Sequence, residues 1–238
     1  MQRDDVVRRA VELIDLTSLN DDDTPEVIAA LCEQAIATGV AAVCIYVPFV
    51  RQAKRTGVRV ATVVNFPEGA PDAGAAARET SAAVDAGADE IDVVLPYERY
   101  AAGDRTAALE VVNATREACE GAVLKVILET GRIGGPETIR SAAADVLDLG
   151  ADFVKTSTGK LQPGATLEAA RPMLEAIRAA GRGGFKAAGG VRTAEDAGRY
   201  LELADEIMGE GWTTPQTFRF GASGLLADLL GERASGTY

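Results

Sequence analysis

Lys155 lies in the stretch Asp-Phe-Val-Lys-Thr-Ser-Thr-Gly-Lys, residues 152–160, where an apolar run meets a polar, glycine-containing loop. The run is short, contains a β-branched and an aromatic residue, and follows Leu149-Gly150-Ala151, so it predicts a buried strand entered from a helix. A lysine at the end of a buried strand is costly unless it is paired or loses its proton. An amine without its proton is a nucleophile, so Lys155 is a candidate for imine chemistry.

Charged residues recur within the predicted strands, near the ends that lead into loops. A single such charge would indicate an outward-facing side chain or a structural ion pair. Several together, of both signs, favour an active site at the carboxyl ends of the strands. These residues are Asp15, Asp92, Lys125, Lys155 and Lys186, with Glu129 at the end of the fifth strand.

Lys155 and Lys186 fall on neighbouring predicted strands. Because adjacent strands are ~4.8 Å apart, the two ammonium groups can approach closely. Like charges disfavour double protonation, so the pKa of one amine falls and a neutral amine becomes available near neutral pH. The other lysine and a carboxylate such as Asp92 could then move protons. Spacing alone leaves open which lysine is the nucleophile.

Two glycine-rich loops follow the predicted seventh and eighth strands, Gly189-Gly190-Val191-Arg192-Thr193 and Gly221-Ala222-Ser223-Gly224. Glycines allow backbone N–H groups to face an anion, and the start of a helix adds a positive dipole end. These are also the loops that usually bind phosphate in β/α barrels, and Lys160 could add a point charge. The pair predicts a phosphate-binding site.

Strand-like and helix-like segments alternate eight times without a break in composition. This pattern predicts an α/β fold, a single (β/α)8 TIM barrel over residues 1–230, with a flexible tail at 231–238. An open doubly wound sheet ranks second, because it would need a glycine-rich first turn. The predicted strands are 13–16, 41–46, 58–64, 90–95, 123–129, 153–155, 184–187 and 216–220.

Composition narrows the classes of function. A net charge of −12 works against binding to nucleic acid. The absence of histidine excludes Ser-His-Asp and Cys-His catalysis and most metal sites. Three widely spaced cysteines, Cys32, Cys44 and Cys119, fit a reducing compartment. No apolar run is long enough to span a bilayer, so we expect a cytoplasmic protein without a membrane partner.

Motifs along nearly the whole chain point to one family. The stretches are DLT at 15–17, LNDDDT at 19–24, VCIY at 43–46, ATVVNFP at 61–67, GADEIDVV at 87–94, LKVILETG at 124–131, FVKTSTGK at 153–160 and FKAAGGVRTAEDA at 185–197. Together they resemble deoxyribose-phosphate aldolase, and the KTSTGK and KxxGGVRT motifs are highly specific. The resemblance implies a class I aldolase that reversibly cleaves 2-deoxy-D-ribose 5-phosphate to acetaldehyde and D-glyceraldehyde 3-phosphate. It implies no metal or organic cofactor, and a homodimer.

The resemblance also implies residue roles. Lys155 corresponds to the Schiff-base lysine, Lys186 tunes it, and Asp92 relays protons through water. Asp15 joins this catalytic group, as does Tyr238, because some members end in a tyrosine that reaches the site. The phosphate side comprises Lys160, Gly189, Gly190, Arg192, Gly221 and Ser223. Gly224 departs from the family pattern, since similar relatives carry a second serine there.

Other functions remain open on the sequence. A different Schiff-base aldolase, such as a transaldolase-like enzyme, or a phosphate-binding barrel isomerase would share many of these features. A catalytically silent barrel that binds a sugar phosphate is the alternative from another class.

Overall fold

Eight short parallel strands form the centre of the structure, a computed structural model that describes residues 1–119 and 121–232. Each strand pairs with the next in chain order, and β8 pairs with β1, so the sheet closes into a barrel. The predicted (β/α)8 TIM barrel is confirmed and the open sheet is wrong. The strands are β1 (Ile14–Thr17), β2 (Ala42–Ile45), β3 (Val60–Val64), β4 (Glu90–Val94), β5 (Val123–Ile127), β6 (Phe153–Lys155), β7 (Gly184–Ala188) and β8 (Phe218–Ala222).

Helices surround the barrel and connect successive strands. Two of them, α1 and the short α5, are not predicted from the sequence. Helix α1 buries only Val6 and Ala10, and five of its eight residues are charged, so its apolar pattern is weak. The helices are α1 (Arg3–Ala10), α2 (Pro25–Thr38), α3 (Val47–Lys54), α4 (Ala73–Ala86), α5 (Tyr97–Ala101), α6 (Arg105–Ala118), α7 (Pro136–Asp148), α8 (Leu167–Ala180), α9 (Ala194–Met208) and α10 (Leu225–Leu229).

The eighth strand lies two residues later than predicted. Gly221 and Ala222 pair with Asp15 and Leu16 of β1, so the ladder continues through a glycine that resembled the start of a loop. The fifth strand ends at Ile127 instead of residue 129, because Glu129 adopts a left-handed backbone with φ of 51°. Both shifts change which residues belong to the loops above the barrel.

The loop after β7 is fixed by a capping box at the start of α9. The Thr193 side chain accepts a hydrogen bond from the Asp196 backbone N–H, and the Asp196 carboxylate accepts one from the Thr193 N–H at 3.1 Å. The Asp196 carboxylate also accepts from the Arg192 N–H at 3.1 Å. The start of α9 is therefore held by its own side chains.

The interior of the barrel is lined unevenly. Side chains of β2 and β3, namely Cys44, Ala61 and Val63, form a small apolar cluster with Leu19. The other six strands contribute seven charged side chains, none more than 4% exposed: Asp15, Glu90, Asp92, Lys125, Lys155, Lys186 and Arg219. Among residues 1–119 and 121–232, no helix has the length and apolar character needed to cross a membrane.

The loops after β6 and β7 touch through backbone alone. The Ala165 N–H donates to the Gly189 carbonyl at 2.8 Å. A Cβ added at Gly164 would lie 2.3 Å from that carbonyl oxygen, and one added at Gly189 would lie 3.2 Å from the Cα of Gly159. No side chain fits between these loops, so glycine is required at the contact.

We expect Gly164→Ala to destabilise the protein by about 1–3 kcal/mol, because overpacking would push the two loops apart. Gly135→Ala is the matched control, since a Cβ there meets nothing within 4 Å and its φ is −77°. This control should lose less than about 1 kcal/mol, the cost of replacing glycine by alanine at the N-cap of α7. Urea unfolding midpoints test the pair, and equal midpoints would contradict the close contact.

Candidate active site

Asp92 on β4 is the centre of a buried ion network. Its Oδ2 atom lies 2.8 Å from the Nζ atoms of both Lys155 and Lys186, and its Oδ1 atom lies 2.7 Å from Nζ of Lys125. Burial opposes the charged form of Asp92, but the three ammonium groups outweigh it and hold the pKa well below its usual range. One carboxylate therefore brings together lysines from β5, β6 and β7.

The two lysines predicted to approach each other do so. Lys155 and Lys186 are register partners on β6 and β7, and both bind the same oxygen of Asp92. Their environments differ, because Lys186 also lies 2.5 Å from Oδ2 of Asp15. Although burial opposes it, Asp15 and Asp92 raise the pKa of Lys186. Burial, together with the charge of Lys186, lowers the pKa of Lys155 despite Asp92.

Two members of the network were missed by the sequence analysis, Glu90 on β4 and Arg219 on β8. Glu90 lies 2.6 Å from Nζ of Lys125, and its Oε1 atom lies 2.9 Å from Nη2 of Arg219. Arg219 also pairs with Asp15. Both residues fall inside stretches predicted as strands, so the rule that identified the other charges could have found them.

The balance of charge indicates which amine is neutral. Among the buried side chains, four cations face three carboxylates, so the buried network has no net charge when one amine is unprotonated. Arg59 is exposed and meets Glu90 at 3.3 Å from the solvent side, where water screens its charge. Arginine keeps its proton in proteins. Lys125 has three carboxylates within 4.0 Å and Lys186 has two, whereas among the described residues Lys155 has one. Lys155 is therefore the lysine of the network with the fewest carboxylates to support its charge.

A cavity of about 440 Å³ opens above the network at the carboxyl ends of β6, β7, β8 and β1. Lys155, 3% exposed, lines its floor, whereas Asp15, Asp92 and Lys186 are fully buried beneath. All six residues predicted for phosphate line its wall: Lys160, Gly189, Gly190, Arg192, Gly221 and Ser223. The cavity therefore joins a reactive amine to a glycine-rich wall.

The wall has a backbone shaped by glycine. Gly189 and Gly190 have φ values of 85° and 102°, in the left-handed region. Lys160 donates from Nζ to the Leu19 carbonyl at 2.6 Å and so ties the loop after β6 to the loop after β1. The Arg192 N–H already donates to Asp196, whereas the guanidinium of Arg192 is exposed.

Gly221 has a second use that the sequence did not indicate. A Cβ at this position would lie 3.0 Å from Cε of Lys186, so the glycine makes room for the lysine stem. Gly221 thus belongs to the floor of the site, in β8, as well as to the lining of the cavity.

Three other sequence predictions have separate outcomes. Tyr238 lies outside the described residues. Glu129 is buried and accepts a hydrogen bond from the Thr158 N–H at 3.1 Å, which supports the loop after β6 from the side of β5. Burial raises the pKa of the Cys44 thiol, so Cys44 is neutral near the network. Within the described residues, no cluster of His, Cys, Asp or Glu side chains is arranged to hold a metal ion.

Comparison with known proteins places this geometry in a family. The structure resembles a protein provisionally assigned as a deoxyribose-phosphate aldolase from Coccidioides immitis, with 30% identity, a TM-score of 0.84, and coverage of 96% of this chain and 86% of that one. A similar assignment from Toxoplasma gondii ME49 gives 26% identity, a TM-score of 0.87 and 99% coverage of both chains.

At lower identity, the likeness concerns the fold alone. The deoxyribose phosphate aldolase from Aeropyrum pernix, described as a unique tetrameric structure, is 24% identical with a TM-score of 0.71, and 98% of this chain and 97% of that one are covered. The family model for the DeoC/LacD family aldolases matches residues 9–230. This chain belongs to the DeoC/LacD aldolase family.

Proposed function

We propose that this protein is a class I aldolase that reversibly cleaves 2-deoxy-D-ribose 5-phosphate to acetaldehyde and D-glyceraldehyde 3-phosphate through a Schiff base on Lys155. The observation that carries the proposal is the position of this amine. Lys155 pairs with a single carboxylate and lies on the floor of a cavity whose wall suits a phosphate. Such an enzyme would serve deoxyribonucleotide and carbohydrate degradation.

In the direction of synthesis, the neutral amine of Lys155 attacks the carbonyl carbon of acetaldehyde. The carbinolamine loses water and leaves a protonated imine, which then acts as the electron sink. Loss of a proton from the adjacent carbon gives an enamine. The enamine carbon attacks the aldehyde carbon of glyceraldehyde 3-phosphate, that oxygen takes up a proton, and water releases the product from Lys155. No cofactor is needed for these steps.

Asp92 and Lys186 are the groups we assign to proton movement. Asp92 is held ionised by Lys125 and Lys186, and its Oδ2 atom is shared between Lys155 and Lys186, which suits a relay through a water molecule. Lys186, kept protonated by Asp15 and Asp92, repels a second charge on Lys155. Asp15 acts by holding Lys186 in place.

The phosphate is proposed to lie against the wall formed by Lys160, Gly189, Gly190, Arg192, Gly221 and Ser223. A glycine-rich lining and two cationic side chains suit a dianion, and this end of a β/α barrel is a common phosphate site. The reacting carbon would then reach Lys155 at the floor of the same cavity.

Other Schiff-base aldolases and a phosphate-binding isomerase remain alternatives, as does a silent sugar-phosphate barrel. The presence of Lys155, Lys186 and Asp92 in one network argues against the silent barrel. Ketose donors tested in place of acetaldehyde separate the aldolases. A homodimeric assembly and a cytoplasmic location, which the three free thiols suit, stay predictions.

We expect sodium borohydride with acetaldehyde to leave a reduced two-carbon adduct on the peptide that contains Lys155. Lys155→Met should abolish the adduct and lower turnover of deoxyribose 5-phosphate by at least about a thousandfold, because the nucleophile is lost. Lys54→Met is the control, since Lys54 pairs with Asp89 on the outer surface. Peptide mass spectrometry and a turnover assay read both effects, and an adduct on another lysine would contradict the assignment.

The rise of kcat/KM with pH should occur below the usual lysine pKa of about 10.4. Because the pKa of Lys155 is lowered, the neutral amine that attacks the aldehyde accumulates at a lower pH than in an ordinary lysine. We therefore expect kcat/KM to rise with pH and to level off well before that value. A limb that still rises through the ordinary lysine range would show that Lys155 holds its proton.

Gly224→Ser should strengthen binding of phosphorylated substrates. A Cβ at Gly224 meets nothing within 4 Å and φ is −101°, so serine fits without strain and can add a hydroxyl to the wall. We expect KM for deoxyribose 5-phosphate to fall about three- to tenfold, which corresponds to one added hydrogen bond worth about 1 kcal/mol. Gly224→Ala should leave KM unchanged, and neither variant should alter KM for unphosphorylated deoxyribose; equal effects of serine and alanine would refute the hydroxyl contact.

A further inference from the structure

Arg219 is a buried guanidinium that the proposed steps do not use. It is 4% exposed and lies near the amino-terminal end of β8. There it lines a second cavity, of about 580 Å³, at the amino-terminal ends of the strands and opposite the substrate cavity. Its guanidinium pairs with Asp15 and with Glu90, so it contacts the network from below.

Charged groups from six strands of the barrel form the buried network that includes Lys155, and the exposed Arg59, just before β3, meets Glu90 at 3.3 Å from the solvent side. Asp92 and Glu90 come from β4, Asp15 from β1, Lys125 from β5, Lys186 from β7 and Arg219 from β8. The Cys44 thiol of β2 adds no charge, because burial raises its pKa. With Lys155 neutral, three cations match three carboxylates.

We propose that Arg219 is a positioning residue that keeps Lys155 uncharged by supplying the third permanent cation of this network. The proposal deepens the proposed function, and rests on it for the role of the neutral amine. Arg219 acts through Asp15 and Glu90, which it neutralises, so that no carboxylate is left over to support a charge on Lys155.

The argument depends on a property of arginine that lysine lacks. A guanidinium keeps its proton under all conditions met in proteins. Arg219 therefore cannot release the surplus proton of the network, and one of the lysines must do so. Without Arg219, three lysines would face three carboxylates, and Lys155 could be protonated with the network still neutral. The neutral state of the Lys155 amine therefore requires a fourth cation in the network.

A purely structural role for Arg219 makes a different prediction. Its guanidinium lies 5.6 Å from the centre of the Phe153 ring, and its Nε donates to the Pro215 carbonyl at 2.5 Å. Loss of these contacts would lower stability without a directed effect on the protonation of Lys155. The direction of the titration shift therefore separates the two roles.

The experiment is a titration of Lys155 in four variants: Arg219→Met, Arg219→Lys, Glu90→Gln and the double variant Arg219→Met with Glu90→Gln. Trace acetic anhydride acetylates only neutral amines, and peptide mass spectrometry reports each lysine separately. The chain has five lysines, and Lys54 on the surface serves as the internal reference. The labelling is followed against pH in the intact protein.

We expect Arg219→Met to move the titration of Lys155 to higher pH by on the order of one unit, and Glu90→Gln to move it to lower pH. The double variant restores a surplus of one cation and should return close to the wild type. Arg219→Lys should move the titration of Lys155 partway to higher pH, because a lysine at this position can give up the surplus proton in place of Lys155. Unchanged titration, or shifts of the same sign in both single variants, would overturn the proposal. If Arg219→Met does not fold, Arg219→Lys decides, since a shift of the Lys155 titration to higher pH supports the proposal and an unchanged titration refutes it.

The result is independent of turnover. A titration that shifts as expected in a protein without activity on deoxyribose 5-phosphate would remove the proposed substrate and leave the charge relation intact. Normal turnover of deoxyribose 5-phosphate with an unchanged titration of Lys155 would keep the proposed function and refute the role of Arg219.

Discussion

The interior of this barrel is shielded from water, and the balance of its buried charges is the constraint on which the rest of the site depends. Charges in such an interior are tolerated only when they are matched. Asp92 can bind three amines because Asp15 and Glu90 also pair with two of them, and the amine with a single carboxylate, Lys155, is the one that we propose as the nucleophile. Reactivity here is a property of the whole network.

The closed barrel is what makes this network possible. Lys186 and Asp15 are separated by 171 residues, and Lys155 and Asp92 by 63, yet both pairs are in contact. Because the strands are parallel and closed into a ring, side chains from β1, β4, β6 and β7 converge on one axis. The loops above them then place a glycine-rich wall beside the reactive amine.

Much of this was accessible from the sequence, and the remainder has physical reasons. Alternating strands and helices predicted the barrel, and charges in strands identified most of the network. The sequence could not assign the neutral amine, because this depends on how many carboxylates each lysine meets across the barrel. It misplaced β8, since Gly221 has loop-like chemistry but a strand backbone that makes room for Lys186. Tyr238, outside the described residues, remains a prediction.

The backbone contact among Gly159, Gly164 and Gly189 limits how a cavity of this kind can change the size of the ligand it accepts during evolution. With no side chain between the loops after β6 and β7, neither loop can be enlarged without displacing the other. Adaptation to bulkier acceptors is therefore directed to the side of β1 and β8, where the space beside Gly224 is unfilled. The rim at β6 and β7 is therefore constrained in size, whereas the rim at β1 and β8 can accept larger side chains.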